Sequence, residues 1–282
     1  MNTSMMTDLE NALKVVKRYS DSMVRAILFL ISSILIFSSC TKPTSTIDPD
    51  LQTKVDSILQ LKMFEINATS GQAIVMDMEG NIKAMVGNGQ KQASSLMRTV
   101  SLHKALETGK VHLSDTVDTE EGIAIINGDT IKDHNWHRGG YGKITLKQGL
   151  ACESKIAVAK ALQIAGVQAV DSLVTPLEML KLFNGIIKND SLKSAFRYCI
   201  TDGLDKPASS DNVEVAGLSG RRIISQGNLD KPEYVVEFIG YFPADEPKYS
   251  IIVSMNKIGL PASGGSMAGS VFKDIAELMN NN

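Results

Sequence analysis

"AIVMDMEGNIKAMVG", residues 73–87, decides how the rest of the chain is read. Two strand-like runs flank a turn at Glu79-Gly80-Asn81, a pattern that predicts a β-hairpin. Further strand signals return only at Val213–Ala216, Tyr234–Tyr241 and Tyr249–Met255. Helical spacings fill the interval, and a last helix is expected from about Met267 to Met279. Strands at both ends of the chain with helices inserted between them predict an α+β layered fold, in which the terminal segments share one mostly antiparallel sheet.

Working outward from the hairpin, Asp48-Pro49 is a helix start, a capping side chain followed by proline in the first turn. Leu51, Val55, Ile58 and Leu59 supply one apolar face, so a helix is expected over about 49–62. Apolar spacing predicts a second helix from Leu96 to Glu107, ending at Gly109. "GLACESKIAVAKALQIAG" (149–166) reads as one helix closing at Gly166, and "TPLEMLKLFNGIIK" (175–188) as another that starts at Pro176. No internal repeat or low-complexity tract is visible.

The 282 residues are 43% hydrophobic and 21% charged, an ordinary globular composition. Net charge is −2 and the basic residues are scattered, so the footprint of a nucleic-acid binder is missing. His134 and His137 lack the glutamate of a zincin motif and no CxxC occurs, so neither a metal site nor a cofactor is expected.

"MVRAILFLISSILIFSSC" (23–40) runs through a lone arginine and an apolar stretch, Ala26–Phe37, to small residues and Cys40. The stretch is short for a bilayer span, which takes roughly 20 residues, and suits a signal-peptide core. Phe37-Ser38-Ser39-Cys40 resembles a bacterial lipobox, whose cysteine is lipidated and becomes the mature N-terminus. Residues 1–39 are thus read as leader and lipoprotein-type signal, with Met1 or Met23 as the start, and 40–48 as lipidated Cys40 plus linker. An uncleaved membrane anchor is the other reading. Either way the folded part is expected outside the cytoplasm, periplasmic and lipid-anchored to a bacterial membrane. Removing residues 1–39 leaves 25 basic and 28 acidic residues, net −3, which points to no charge-driven partner. Cys152 and Cys199 remain in an oxidising compartment where a bridge is permitted. They are read as two buried free thiols.

Several stretches resemble one family. "TIDPDLQ" (46–52) with the hairpin, "DTVDTEEG" (115–122), "IKDHNWHRGGYGKITLKQGLA" (131–151), "TPLEML" (175–180), "FIGYFPADEPKYSIIV" (238–253) and "GLPASGGSMAGSVFKDIAE" (259–277) look like the transpeptidase domain of class B penicillin-binding proteins, of the cell-division peptidoglycan D,D-transpeptidase kind. The resemblance covers roughly residues 45–279. It implies a penicillin-binding-protein/serine β-lactamase-like fold over 49–282, a mostly antiparallel sheet flanked by helices with an inserted helical subdomain at about 110–205.

That family uses S-x-x-K, S-x-N and K-T-G motifs. In "SSLMRTVSLHKALETG" (94–109), spacing to the helix end puts the nucleophile on Ser95 and the catalytic lysine on Arg98. The second motif falls on Glu153-Ser154-Lys155, and the third on Leu218-Ser219-Gly220 followed by Arg221. A serine needs a base to take its proton, and an arginine, whose pKa lies above roughly 12, stays charged at neutral pH, so Arg98 offers none. Glu153 beside Arg98 is expected to form an ion pair that plugs the cleft. Leu218 stands where the family binds the substrate carboxylate and has no means of pairing it. Ser219 keeps a hydroxyl, Gly220 keeps close backbone approach, and the Ser95 and Arg221 N–H groups could still form an oxyanion hole. Ser101 and Lys104, a second S-x-x-K, read as packing, and His134, Trp136 and His137 as structural contacts.

These features imply a catalytically impaired or inactive transpeptidase-like lipoprotein, a pseudoenzyme that binds or regulates in peptidoglycan synthesis or cell division. Its partners would be cell-wall synthesis or division proteins, the peptidoglycan stem peptide, or both. The alternative is an active serine acyltransferase, D,D-carboxypeptidase or β-lactam-binding protein in which Lys155 serves Ser95 as a relocated base. A third reading is an anion sensor with its ligand held between Arg98 and Lys155.

Overall fold

The Asp48 carboxylate accepts hydrogen bonds from the Asp50 and Leu51 N–H groups and Pro49 takes the first helical position, so α1 (Pro49–Ile66) begins where cap and proline place it. It runs beyond the expected end near 62 because Met63 and Ile66 still pack on the sheet. Asn67, in the left-handed conformation, then closes it. A computed structural model describes residues 46–89, 92–188, 190–225 and 231–281, together with Asn11, Lys14 and Lys17 in the separate N-terminal unit, residues 1–45. Apart from those three residues, the expected leader lies outside the described residues, as do the lipobox-like stretch and the lipidation site Cys40.

After α1 come β1 (Ala68–Asp77), β2 (Ile82–Gly87), β3 (Gln92–Ala93) and α2 (Met97–Glu107). The inserted region follows with β4 (Thr116–Asp118), β5 (Ile123–Ile126), β6 (Asp129–Lys132), β7 (Lys143–Thr145), α3 (Leu146–Ala151), α4 (Lys155–Ala165), β8 (Leu173–Val174), α5 (Pro176–Ile186) and α6 (Asp190–Thr201). The chain then returns through β9 (Ala216–Ser225), β10 (Glu233–Phe242) and β11 (Tyr249–Ile258) to a π-type turn at Gly264–Ala268 and α7 (Gly269–Asn280).

The β1–β2 hairpin joins β11, β10 and β9 in a five-stranded antiparallel sheet of order β2-β1-β11-β10-β9. Side chains alternate across a strand, so each face has its own core. Ile74, Met76, Leu218, Ile239, Tyr241 and Ile252 face the inserted helices, where Phe183 and Phe196 pack on Tyr241. Val75, Val236, Phe238, Ile251, Val253 and Met255 face α1 and α7, with Phe238 against Phe272 at a centroid separation of 4.7 Å. Both faces are covered, which is why "YVVEFIGYF" reads as a continuous apolar run rather than a clean alternation.

The single helix expected over 149–166 is two helices. Glu153 sits between them at φ +57, and the Ser154 and Cys152 N–H groups turn back to the Gly149 and Gln148 carbonyls. Helical periodicity continues across the break, so pattern alone could not reveal it. The strand expected at Val213–Ala216 actually starts at Ala216 and continues through "RRIIS", which lacks strand alternation because β9 is an edge strand. The inserted region also carries two-stranded ribbons, β4 with β7 and β5 with β6, among its helices. Cys152 is half-buried, Cys199 is buried, and both are free thiols.

Candidate active site

Ser94 and Ser95 form the turn that enters α2, with the Met97 N–H bonded to the Ser94 carbonyl and the Arg98 N–H to the Ser95 carbonyl. The Ser95 Oγ is closed off from solvent and has no hydrogen-bond partner among the described residues. Directly opposite lies Gly220 of β9, where an added Cβ would stand 2.2 Å from that oxygen. Gly220→Ala is therefore expected to push β9 off the turn, at about 1–3 kcal/mol of stability by overpacking. A urea melt with an unchanged midpoint would count against this contact.

Arg98 reaches across from α2 to the same edge strand. Its Nη2 donates to the Ser219 carbonyl at 2.7 Å, its Nη1 to the Ser95 carbonyl at 3.3 Å, and Glu153 Oε1 lies 3.6 Å from Nη2. The Ser219 hydroxyl donates to Glu153 at 3.0 Å, and the Ser219 N–H to Asp205 Oδ2 at 3.1 Å. The outward N–H and C=O of Ser219 are thus both taken by side chains. Burial, opposed by the Ser219 hydrogen bond, pushes the Asp205 carboxyl up to about 6.

Glu237 of β10 lies on the same face, opposite Gly220 on one side and Ser254 on the other. It is buried, and the Ser94 hydroxyl donates to its Oε2 at 2.7 Å while accepting from the Leu96 N–H at 3.1 Å. Burial raises its carboxyl to about 7 against the pull of Ser94, Arg98 and Ser254.

Glu153, Arg98, Ser219 and Gly220 therefore meet around Ser95, as the motif spacing implies. Lys155 does not join them: its side chain is exposed, and among the described residues its amine makes no hydrogen bond or ion pair. Ser154 instead caps α4, its hydroxyl bonded to Asp133 at 2.6 Å while the Asp133 carboxylate also accepts the Lys155 and Ile156 N–H groups. Leu218 is wholly buried in the helical-side core, so it lines no binding surface, contrary to its expected place among the ligand-contacting positions. An apolar side chain at that register completes the core instead of reaching the cleft. Ser101 bonds to Met97 and Val170, a packing role.

What remains open to solvent is a pocket of about 180 Å³, lined by His134, Glu153, Ser219, Arg221, Ser263 and Gly264 among others. Arg221 Nη1 donates to the Ala262 carbonyl at 3.1 Å. His134 is held by Tyr141 at 3.1 Å, with burial lowering its pKa, while Lys132 stands over the Trp136 ring at 4.8 Å. The sequence reading missed Ser94, Asp133, Asp205 and Glu237. Only Glu237 left a signal, a lone acid inside an apolar strand run, which calls for a buried partner.

No protein-family model and no curated relative matches the chain. Solved structures do. A crystal structure of a peptidoglycan glycosyltransferase from Burkholderia ambifaria superposes with a TM-score of 0.71 over 84% of this chain and 97% of that one, at 17% identity. The chain has the fold of a penicillin-binding-protein transpeptidase domain. The apo transpeptidase domain of penicillin-binding protein 3 from Burkholderia pseudomallei matches with a TM-score of 0.70 over 86% of this chain and 96% of that one, at 17% identity. Apo penicillin-binding protein 3 from Mycobacterium tuberculosis gives 0.70 over 83% and 78%, at 16% identity. On this transpeptidase fold, the Ser94–Arg98 turn, the Glu153 link and β9 enclose Ser95 without offering it a neutral amine or imidazole among the described residues.

Proposed function

We propose that this protein is a transpeptidase-like lipoprotein, tethered in the periplasm through Cys40, that binds or regulates in peptidoglycan synthesis or cell division without transferring acyl groups. The observation that carries this reading is the state of Ser95: its hydroxyl is enclosed against Gly220, has no partner among the described residues, and has beside it a guanidinium bonded to backbone carbonyls. A nucleophile needs a base within reach and an open approach for the carbonyl it attacks. Neither the Arg98 guanidinium nor the Glu153 carboxylate, bound to Ser219 and Arg98, supports that chemistry. The rewired enzyme requires Lys155 at Ser95, and the exposure of its side chain at the start of α4 speaks against it.

Incubation of the purified protein with a fluorescent penicillin, followed by intact-mass and peptide analysis, tests the proposal. No mass increase on Ser95 is expected; stoichiometric acylation there would reject it.

A further inference from the structure

The five-stranded sheet has two edges, and the chain treats them differently. Along β2 the outward backbone groups are met from α1 and the residues leading into it. The Thr46 hydroxyl donates to the Ile82 carbonyl at 2.7 Å, the Asp48 N–H to the Lys83 carbonyl at 2.8 Å, and the Met85 N–H to Gln52 Oε1 at 3.1 Å. Along β9 such protection stops half-way: the strand is buried from Ala216 to Gly220 and exposed from Arg221 to Ile224. Ser219 shows which residues aim outward. Its N–H and carbonyl go to Asp205 and Arg98, away from β10, and in an antiparallel pair this orientation repeats every second residue. By that period Arg221 and Ile223, opposite Val236 and Tyr234, also turn their N–H and C=O groups away from β10. Among the described residues nothing bonds to those four groups.

A bare edge is a template for another strand, and its side chains decide which strand. Here they are Ile223, 45% exposed, Ile224, 36% exposed, and two arginines. Arg221 Nη1 holds the Ala262 carbonyl, while Arg222 Nη1 lies 3.9 Å from Asp171 Oδ1 in a solvent-facing pair that neutralises it only weakly. No Asp or Glu lies on β9 itself. Adjacent cations repel a second copy of the same edge and attract acidic side chains. We infer that the Arg221–Ile224 edge of β9 takes up an extended, acidic segment of a partner polypeptide, which adds a strand to the sheet. Main-chain bonds to Arg221 and Ile223 give the pairing, carboxylates opposite the arginines select the partner, and apolar side chains beside Ile223 and Ile224 are shielded from water. Because the Ser219 groups are already taken, pairing begins at Arg221 and does not extend to the part of β9 beside Ser95. The inference rests on the binding role proposed above and names its surface and partner chemistry. Penicillin labelling reports on Ser95 and peptide binding on β9, so the two fail separately.

The probe is a capped, fluorescein-labelled hexapeptide of alternating glutamate and valine, titrated into the purified full chain and followed by fluorescence anisotropy. Saturable binding with a Kd below about 1 mM is expected, weakening as salt rises. The same peptide N-methylated at every residue cannot pair, and a lysine–valine version carries the wrong charge; each should bind at least about tenfold more weakly. Arg222→Glu should weaken binding by at least about tenfold. Ile223→Pro removes an outward N–H that no ladder bond uses, so it should abolish binding while the melting temperature holds. In the complex, hydrogen exchange should slow at 221–224 and stay level at 82–87. Absence of saturation, equal binding of the N-methylated or lysine peptide, binding that survives Ile223→Pro or Arg222→Glu, or slowing at 82–87 instead overturns the inference. So does self-association of the unliganded chain that Ile223→Pro abolishes, which would give the edge to a second copy. If Ile223→Pro does not fold, the N-methylated peptide and Arg222→Glu decide.

Discussion

Replacing Arg98 with alanine is expected to lower the free energy of unfolding by about 3–5 kcal/mol, the range for breaking a buried ionic network by removing one partner. The guanidinium is only 14% exposed and bridges α2 to β9 through Ser219 and to the Glu153 link through its carboxylate. Its loss would leave Glu153 with the Ser219 hydroxyl as its hydrogen-bond partner among the described residues and would remove the Arg98 charge that acts on Glu237. The effect should appear as a lower urea midpoint with an unchanged slope, because the same surface is exposed on unfolding. Arg98→Lys keeps the charge, but a point ammonium cannot span the Ser95 and Ser219 carbonyls as the planar fork does, so a smaller loss, about 1–2 kcal/mol, is expected. A midpoint within error of the parent in Arg98→Ala would show that the network is incidental to the fold.

The second large effect is on pH. Asp205 and Glu237 both have folded-state pKa values above their unfolded values, raised by burial from 3.8 to about 6 and from 4.5 to about 7. A carboxyl raised in this way binds its proton more tightly in the folded state. Its contribution is complete below the unfolded pKa and is lost as pH rises through the folded one. Stability should therefore decline from about pH 4 to about pH 7 and level off above, by on the order of 3 kcal/mol for each group at most. Asp77, where burial pushes the carboxyl up but the bonds to Asn81 and Lys83 together outweigh it and bring it down to about 2, does not titrate in this window. In a melting experiment the unmodified protein should lose on the order of 10 °C between about pH 5 and about pH 8, and Glu237→Gln should remove a large part of that loss. A melting temperature that rises across this range would contradict the burial argument for both acids.

Much of this fold is legible in the sequence because its strongest signals are local. Asp48-Pro49 starts α1, Thr175-Pro176 starts α5 with a capping box to Glu178, and the Glu79–Asn81 turn closes the hairpin, each through groups a few residues apart. The break at Glu153 was hidden because the apolar period runs through it, and α1's last turn was hidden because packing on the sheet, not propensity, extends it. β9 was misplaced because an edge strand needs no alternation to be stable, only a partner along one side.

The site divides along the same line. Which side-chain chemistries are available is a property of the sequence: a guanidinium at 98, a carboxylate at 153 and an alkyl chain at 218 are what they are in any conformation. Where those groups point belongs to the tertiary structure. Lys155 is next in sequence to the Ser154 cap, yet the start of α4 directs it to solvent, while Ser94 and Glu237, 143 residues apart, share a hydrogen bond. Covalent character is carried by each residue alone, but burial and hydrogen bonding arise only when distant strands and helices exclude water together.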